Sequence, residues 1–426
     1  MNKPEYKSRL IDKTIDEYLS VAKAVCVEGP KWCGKTWTCS YHAASEYLVG
    51  DPTNNFTNRR LAELAPLEVL KGARPRLIDE WQEVPSLWDA VRMTVDNNSE
   101  KGQYLMTGSS TPVNKGVMYS GTGRIVKIRM HTMSLFESGD SDGRISLRDV
   151  CSDDFNDTVF TKDVSLEHLA YLIVRGGWPD NIGVDASKAG ILPGSYLENV
   201  VNEDIRRLDD TVKFETEKLW LLLRSLARNE STMVSGAALS RDVSESENET
   251  LSDDTIAKYI DAFSRLFLLE NQKPFSPNIR SSLRVRQKEK RHFCDPALAC
   301  GALGITPSRL MKDLDMFGFL FEALVERDLR IYAESFGAEL FHYRDYMNNE
   351  IDAVIEMNDG EWCGIEIKLG ANKIDEAAAN LLKIKKVITD NGGRPPKALC
   401  VVCGLTNAAY RRPDGVTVVP VTSLKN

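Results

Sequence analysis

Residues 29–36 read Gly29-Pro30-Lys31-Trp32-Cys33-Gly34-Lys35-Thr36, which fits the G-x-x-x-x-G-K-[ST] pattern of a phosphate-binding loop. The residue types set the chemistry. Backbone N–H groups of a glycine-bearing turn would cradle phosphate oxygens, Lys35 would neutralise β/γ-phosphate charge, and the Thr36 hydroxyl would ligate Mg²⁺. Trp37, directly after, completes the segment a nucleotide would touch. Further along, Arg76-Leu77-Ile78-Asp79-Glu80 is an apolar run ending in two carboxylates. There Asp79 can reach Mg²⁺ through water, and Glu80 can orient and activate an attacking water. A third run, 104–110, ends in small hydroxyl residues. Either Thr107 or Ser109 is placed to sense a γ-phosphate, or the segment is an ordinary Gly/Ser turn. Arg124, after Gly123, could stabilise the transferring charge on a neighbouring subunit's nucleotide, or could form a structural ion pair.

These groups act only if regular elements deliver them. Apolar runs at 24–27, 47–50, 76–78, 103–106 and 125–128 read as strands, and 35–47, 55–64 and 86–96 as helices. That alternation predicts a parallel α/β sheet, with a strand, a glycine turn and a helix N-terminus converging on phosphate. Residues 137–165 are acidic and rich in Gly, Ser and Asp, as an insertion or a linker would be. A helix follows up to Arg175 and is broken by Gly176-Gly177-Trp178-Pro179.

The centre of the chain has helical patterns at 219–227, 233–238 and 255–269, with an acidic loop over 244–254. A basic, turn-rich stretch at 278–291 comes next, which is the order of a winged helix-turn-helix. Arg280, Arg284, Arg286, Lys288, Lys290 and Arg291 face one acid, Glu289, within that stretch. On a wing they would contact phosphates with salt-dependent affinity. Residues 255–263 would then be the recognition helix, although Asp253, Asp254 and Asp261 weaken that reading near a DNA backbone; the alternative is a winged helix used for packing or oligomerisation, with a solvated basic loop.

The last third reads as a separate α/β domain, with helices at 314–333 and 374–388 and strands at 338–343, 350–356, 362–368 and 398–402. Asp352, Glu366 and Lys368 resemble the motif of the PD-(D/E)xK nuclease fold, and Glu322 stands where many such folds carry a helical acid. Glu366 and Lys368 share one strand face. Two carboxylates would hold Mg²⁺ while the lysine positions water for phosphodiester attack. The competing reading is a solvated alternating strand, or a degenerate domain that keeps these residues for structure.

Much of the chain resembles bacterial and archaeal ATP-binding proteins that join an AAA-type ATPase domain to a C-terminal domain of unknown function. The resemblance is carried by GPKWCGKT, LIDEWQEVPSLWDAVR, YLMTGSS, Gly123-Arg124 with Ser134-Leu-Phe-Glu137, Arg175-Gly-Gly-Trp-Pro179, the stretch 196–204 and His292-Phe-Cys-Asp295. Trp32, Cys33 and the acidic insertion depart from the pattern without removing a phosphate or metal ligand. The resemblance implies ATP and Mg²⁺ as ligands, ATP hydrolysis and a homo-oligomer, a hexameric ring among its forms.

The expected plan is a P-loop AAA-type domain over 1–165, a helical connector over 166–215, a winged helix over 216–305 and a nuclease-like domain over 306–426. Its expected activity is ATP hydrolysis acting on or regulated by nucleic acid, DNA more than RNA. The alternative is a nucleotide-gated switch or scaffold for a protein partner, with an inactive tail. At 426 residues the chain exceeds one core, and 27% charged residues suit a globular protein. The net charge of −8 confines any nucleic-acid contact to a local patch. No apolar run is long enough to cross a bilayer and no secretory h-region opens the chain, so a cytoplasmic protein without membrane partners is expected. Nine cysteines, an odd number, argue against a disulfide framework. Cys400 and Cys403 form a CxxC inside an apolar run that reads as a buried strand.

Overall fold

The computed structural model describes residues 6–111, 121–208, 213–247, 249–278 and 287–426. It divides into two compact units. One comprises Met1–Thr132, Asn202–Phe214 and Asp261–Leu268, the other Met133–Val201, Glu215–Ile260 and Leu269–Asn426.

The first unit is built on five strands: β1 (Ala24–Glu28), β2 (Ser45–Leu48), β3 (Arg76–Asp79), β4 (Tyr104–Gly108) and β5 (Ile125–Arg129). They lie in the order β2-β3-β4-β1-β5, and every pairing is parallel. Apolar residues on both faces explain the continuous runs in the sequence. Cys26, Ile78, Tyr104 and Met106 pack on one face with Trp88 and Val91 of the helix Ser86–Asp96. Val25, Val27, Leu77 and Leu105 pack on the other with Ile15 and Leu19, one turn apart on the helix Ile11–Val21. The strand order reverses around β1, and the crevice at such a reversal, beyond the carboxyl ends of the strands, is where α/β sheets take ligands.

The sequence pattern overextends one helix. Expected over 35–47, it ends at His42, because Ala43 turns extended and Ser45 pairs with Arg76 to begin the edge strand β2. Sheet pairing there outweighs helical propensity.

The second unit holds β6 (Ile145–Ser146), β7 (Val159–Phe160), β8 (Lys273–Pro274), β9 (Glu339–Arg344), β10 (Glu350–Glu356), β11 (Trp362–Gly370), β12 (Ala398–Leu405), β13 (Ala408–Arg411), β14 (Thr417–Pro420) and β15 (Leu424–Lys425). Eight of them form a mixed sheet in the order β7-β13-β14-β12-β11-β10-β9-β8, and β6 pairs with β15. The helix Ile374–Asp390 buries Ala377, Leu381 and Ile384 against Val354, Trp362 and Val401 of this sheet.

The acidic stretch 137–165 therefore belongs to this unit, with β7 extending the C-terminal sheet through β13. The expected boundary at 165 falls inside the second unit. The helix Gly236–Glu247 also runs into the expected acidic loop. Arg228 of the helix Thr216–Arg228 pairs with Asp242 at 2.8 Å and donates to Ser246 at 2.7 Å, which holds the last turn.

After the helix Asp253–Arg265, the chain pairs Leu269 with Phe293 and Gln272 with Lys290, while Thr232 pairs with Arg291. All nine cysteines are buried. Among the described residues no helix is long and apolar enough to cross a membrane.

Candidate nucleotide site and charged cluster

The loop Gly29–Thr36 leaves β1 and enters the helix Lys35–His42 through Gly34, whose φ of 107° lies in the left-handed region that a side chain disfavours. No side chain caps that helix, so its first N–H groups are open to an anion. Lys35 is buried, and its Nζ donates to the carbonyls of Gly29 at 3.0 Å and Pro30 at 2.8 Å. Lys31 pairs with Asp204 at 2.6 Å. Cys33 is buried, whereas Trp32 and Trp37 are exposed beside the loop.

The carboxylate of Asp79 joins three elements. Its Oδ1 accepts from Thr36 Oγ1 at 2.8 Å and from Thr107 Oγ1 at 2.7 Å. Burial lifts the Asp79 pKa above the usual carboxylate range, and the neighbouring Glu80 charge adds to this, while the two threonine bonds and Lys35 oppose it. Thr107 also accepts the Glu80 N–H at 2.9 Å. Glu80 itself adopts a left-handed conformation, φ 56°, which swings its side chain off the end of β3. Its Oε2 accepts from Ser109 Oγ at 2.8 Å and from Gln82 Nε2. Thr107 and Ser109, read from the sequence as alternatives, thus serve different carboxylates.

An oxygen pair from Thr36 and Asp79 suits Mg²⁺, which takes one or two protein ligands and completes its shell with water and phosphate oxygens. Among the described residues no three His, Cys, Asp or Glu side chains are grouped to hold a metal.

Arg124 pairs with Asp96 at 2.8 Å within its own unit. Two contributors escape the motif. Arg9, buried, donates to Cys33 O at 2.8 Å and to His131 O at 3.0 Å, tying the loop to the end of β5. Its only sequence signal is a basic residue far upstream. Gln82 lies within the segment LIDEWQEVPSLWDAVR that carries the resemblance, but the resemblance assigned it no role.

In the second unit Lys368 bridges Glu366 at 2.6 Å and Asp352 at 3.1 Å, and Asn380 donates to Glu366 at 2.9 Å. The expected strand triad is therefore assembled, and Glu366 is pushed up to about 7, first by burial and then by Asp352. Glu322 makes its close contact with Lys290, at 2.5 Å.

Lys290 corrects the sequence reading. Rather than offering its charge to nucleic acid from a wing, it is buried between Glu322 and Glu326. A run of basic residues cannot reveal acids on a distant helix, here Leu314–Ser335. Arg291 is half-buried, Lys288 is exposed, and Arg280, Arg284 and Arg286 lie outside the described residues.

The ion-pair chain continues from Glu326 to His292 Nε2 at 2.6 Å, and His292 Nδ1 meets Glu230 at 3.2 Å.

A parallel sheet whose first strand leads through a glycine loop into a helix, with Asp79 ending β3 and Glu80 directly after it, has the arrangement of a P-loop domain. Residues 21–138 match an AAA domain family. Residues 166–309 match a domain of unknown function (DUF8612), and residues 317–424 another (DUF4143). Among solved structures, a Walker-type ATPase of Pyrococcus abyssi is similar over 71% of this chain and 99% of that one, at 10% identity and a TM-score of 0.44. No curated protein matches the chain.

Burial pulls the His292 pKa down, but Glu326 and Glu230 outweigh it and hold the imidazole protonated up to about pH 9. A folded-state pKa above the unfolded value means that His292 stabilises fully below about pH 6.5 and that this contribution is lost as pH rises toward 9. NMR of the histidine rings in the full chain should show one imidazole still charged at pH 8. A His292 midpoint near the unperturbed value would contradict the buried ion-pair chain.

Proposed function

We propose that this chain binds ATP with Mg²⁺ and hydrolyses it at the first unit. The observation that carries the reading is the set Thr36–Asp79–Thr107–Glu80, in which one buried carboxylate fixes the loop helix while its neighbour is turned out and held. Loop N–H groups and Lys35 bind the β- and γ-phosphates, Lys35 exchanging its carbonyl partners for phosphate oxygens. Thr36 directly and Asp79 through water would hold Mg²⁺, which would supply Lewis-acid neutralisation of phosphate charge. Glu80 accepts a proton from a water whose oxygen forms a bond to the γ-phosphorus. The bond from that phosphorus to the β–γ bridging oxygen breaks, and ADP leaves with the electron pair. Thr107 keeps Asp79 and the Glu80 backbone in register.

Turnover at this site is coupled, in the finer reading, to nucleic acid at the second unit, DNA in preference to RNA. Three features support it: the assembled Asp352, Glu366 and Lys368 cluster, the helix–helix–paired-segment order of a winged helix over 216–293, and exposed Lys288. Homo-oligomerisation, with Arg124 acting on a neighbour's nucleotide, requires that arginine to leave Asp96. A second reading, a nucleotide-gated scaffold for a protein partner, is favoured by one observation. Lys290 is neutralised inside the unit, and Lys368 is clamped between the two carboxylates a nuclease would use for metal.

Lys35→Ala should abolish nucleotide binding and turnover. Glu80→Gln should keep binding and lose about 10²–10⁴-fold in kcat, as read by phosphate release. Wild-type rates in both variants would refute hydrolysis at this site. The nucleic-acid reading predicts filter retention of DNA that weakens steeply with salt. No retention even at low salt would leave the scaffold reading.

A further inference from the structure

Gln82 lies in the short 3₁₀ turn Trp81–Glu83 that follows Glu80. Its amide nitrogen is used twice, donating to Glu80 Oε2 and to Ser109 Oγ, the latter at 3.1 Å. Its amide oxygen is different. Oε1 is buried from solvent and finds no hydrogen-bond partner among the described residues. Buried acceptors are rarely left unpaired, because each costs roughly 1–3 kcal/mol.

The place of that oxygen matters. It lies 3.4 Å from where a Cβ on Gly108 would sit, and Trp81 Nε1, also buried and without a partner among the described residues, lies 3.0 Å from the same point, so the absence of a side chain at Gly108 leaves a small polar-lined space beside both. Gly108 O in turn accepts the N–H of Gly29, the first glycine of the phosphate loop, at 3.3 Å. The unpartnered acceptor therefore lies beside Gly108, whose carbonyl holds the first glycine of the loop, on a side chain whose Nε2 meets Glu80. Reversing the amide would not satisfy it, since the oxygen would then face the Glu80 carboxylate.

We infer that Gln82 is a catalytic residue of the hydrolysis proposed above: its Oε1 accepts a hydrogen bond from the attacking water while Glu80 accepts that water's other proton. Two acceptors on one water fix both its position and the direction of its lone pair toward the γ-phosphorus, which one carboxylate cannot do alone. The same side chain, through Nε2, prevents Glu80 from rotating. The inference rests on the hydrolysis reading but makes a separate demand on one side chain.

The test is steady-state phosphate release by the full chain with ATP and Mg²⁺, alongside titration with a fluorescent ATP analogue. Gln82→Met keeps the length of the side chain and removes both polar atoms. It should lower kcat about 10–100-fold, with KM and analogue affinity within about threefold of wild type. Gln82→Glu keeps an acceptor but sets a second carboxylate beside Glu80, so the acid limb of its kcat–pH profile should move to higher pH. That shift reports the contact between side chain 82 and Glu80; the fall in kcat of Gln82→Met at unchanged affinity is what a merely structural glutamine would not give. Wild-type turnover that Glu80→Gln abolishes but Gln82→Met leaves within twofold overturns the role of Gln82 alone, as does an unmoved acid limb in Gln82→Glu. No turnover in the wild type overturns the hydrolysis reading and this inference with it.

Discussion

One oxygen atom organises the first unit's chemistry. Asp79 Oδ1 accepts from Thr36 on the loop helix and from Thr107 on β4, while Asp79 itself ends β3. Taking a carboxylate out of water is costly unless hydrogen bonds compensate, so these donors are conditions for placing a charge there at all. The consequence reaches further through Thr107, which also receives the Glu80 N–H. The position of the loop helix and the backbone of Glu80 thus depend on a single hydrogen-bonded centre at the carboxyl ends of neighbouring strands, and in the proposed function so would metal binding and the aim of Glu80.

The strands around that centre were legible because they are buried on both faces. Val25, Val27, Leu77 and Leu105 face one layer and Cys26, Ile78 and Met106 the other, which writes uninterrupted apolar runs. That the loop and Asp79 would meet was legible because the motif restricts both residue type and spacing, and Thr36 does bond Asp79. The contact of Gln82 with Glu80 was not, since it depends on the left-handed turn at Glu80, a backbone choice no local pattern announces. Arg9 was missed because its partners, Cys33 and His131, are remote in sequence.

The second unit shows the opposite balance. Asp352, Glu366 and Lys368 were found by spacing and do meet, yet the sequence could not say that Lys368 would bridge both acids. Lys290 looked like part of an exposed basic run and is instead the buried link between Glu322 and Glu326. Whether a lysine is a ligand for phosphate or a counter-ion for buried acids is decided by which helix lies over it. The acidic stretch 137–165 misled for a similar reason, because its short strands gain their meaning only as an edge of a sheet completed far downstream.

The central claim is that Asp79 unites metal binding with the placement of Glu80. It is tested most directly by measuring ATP affinity and Mg²⁺-dependent phosphate release side by side for the wild type and Asp79→Asn. The structure predicts wild-type turnover that requires Mg²⁺, and a variant that still binds nucleotide but turns over at least about 100-fold more slowly, the scale of removing one transition-state contact. Equal turnover in the two proteins, or wild-type turnover indifferent to Mg²⁺, would contradict it.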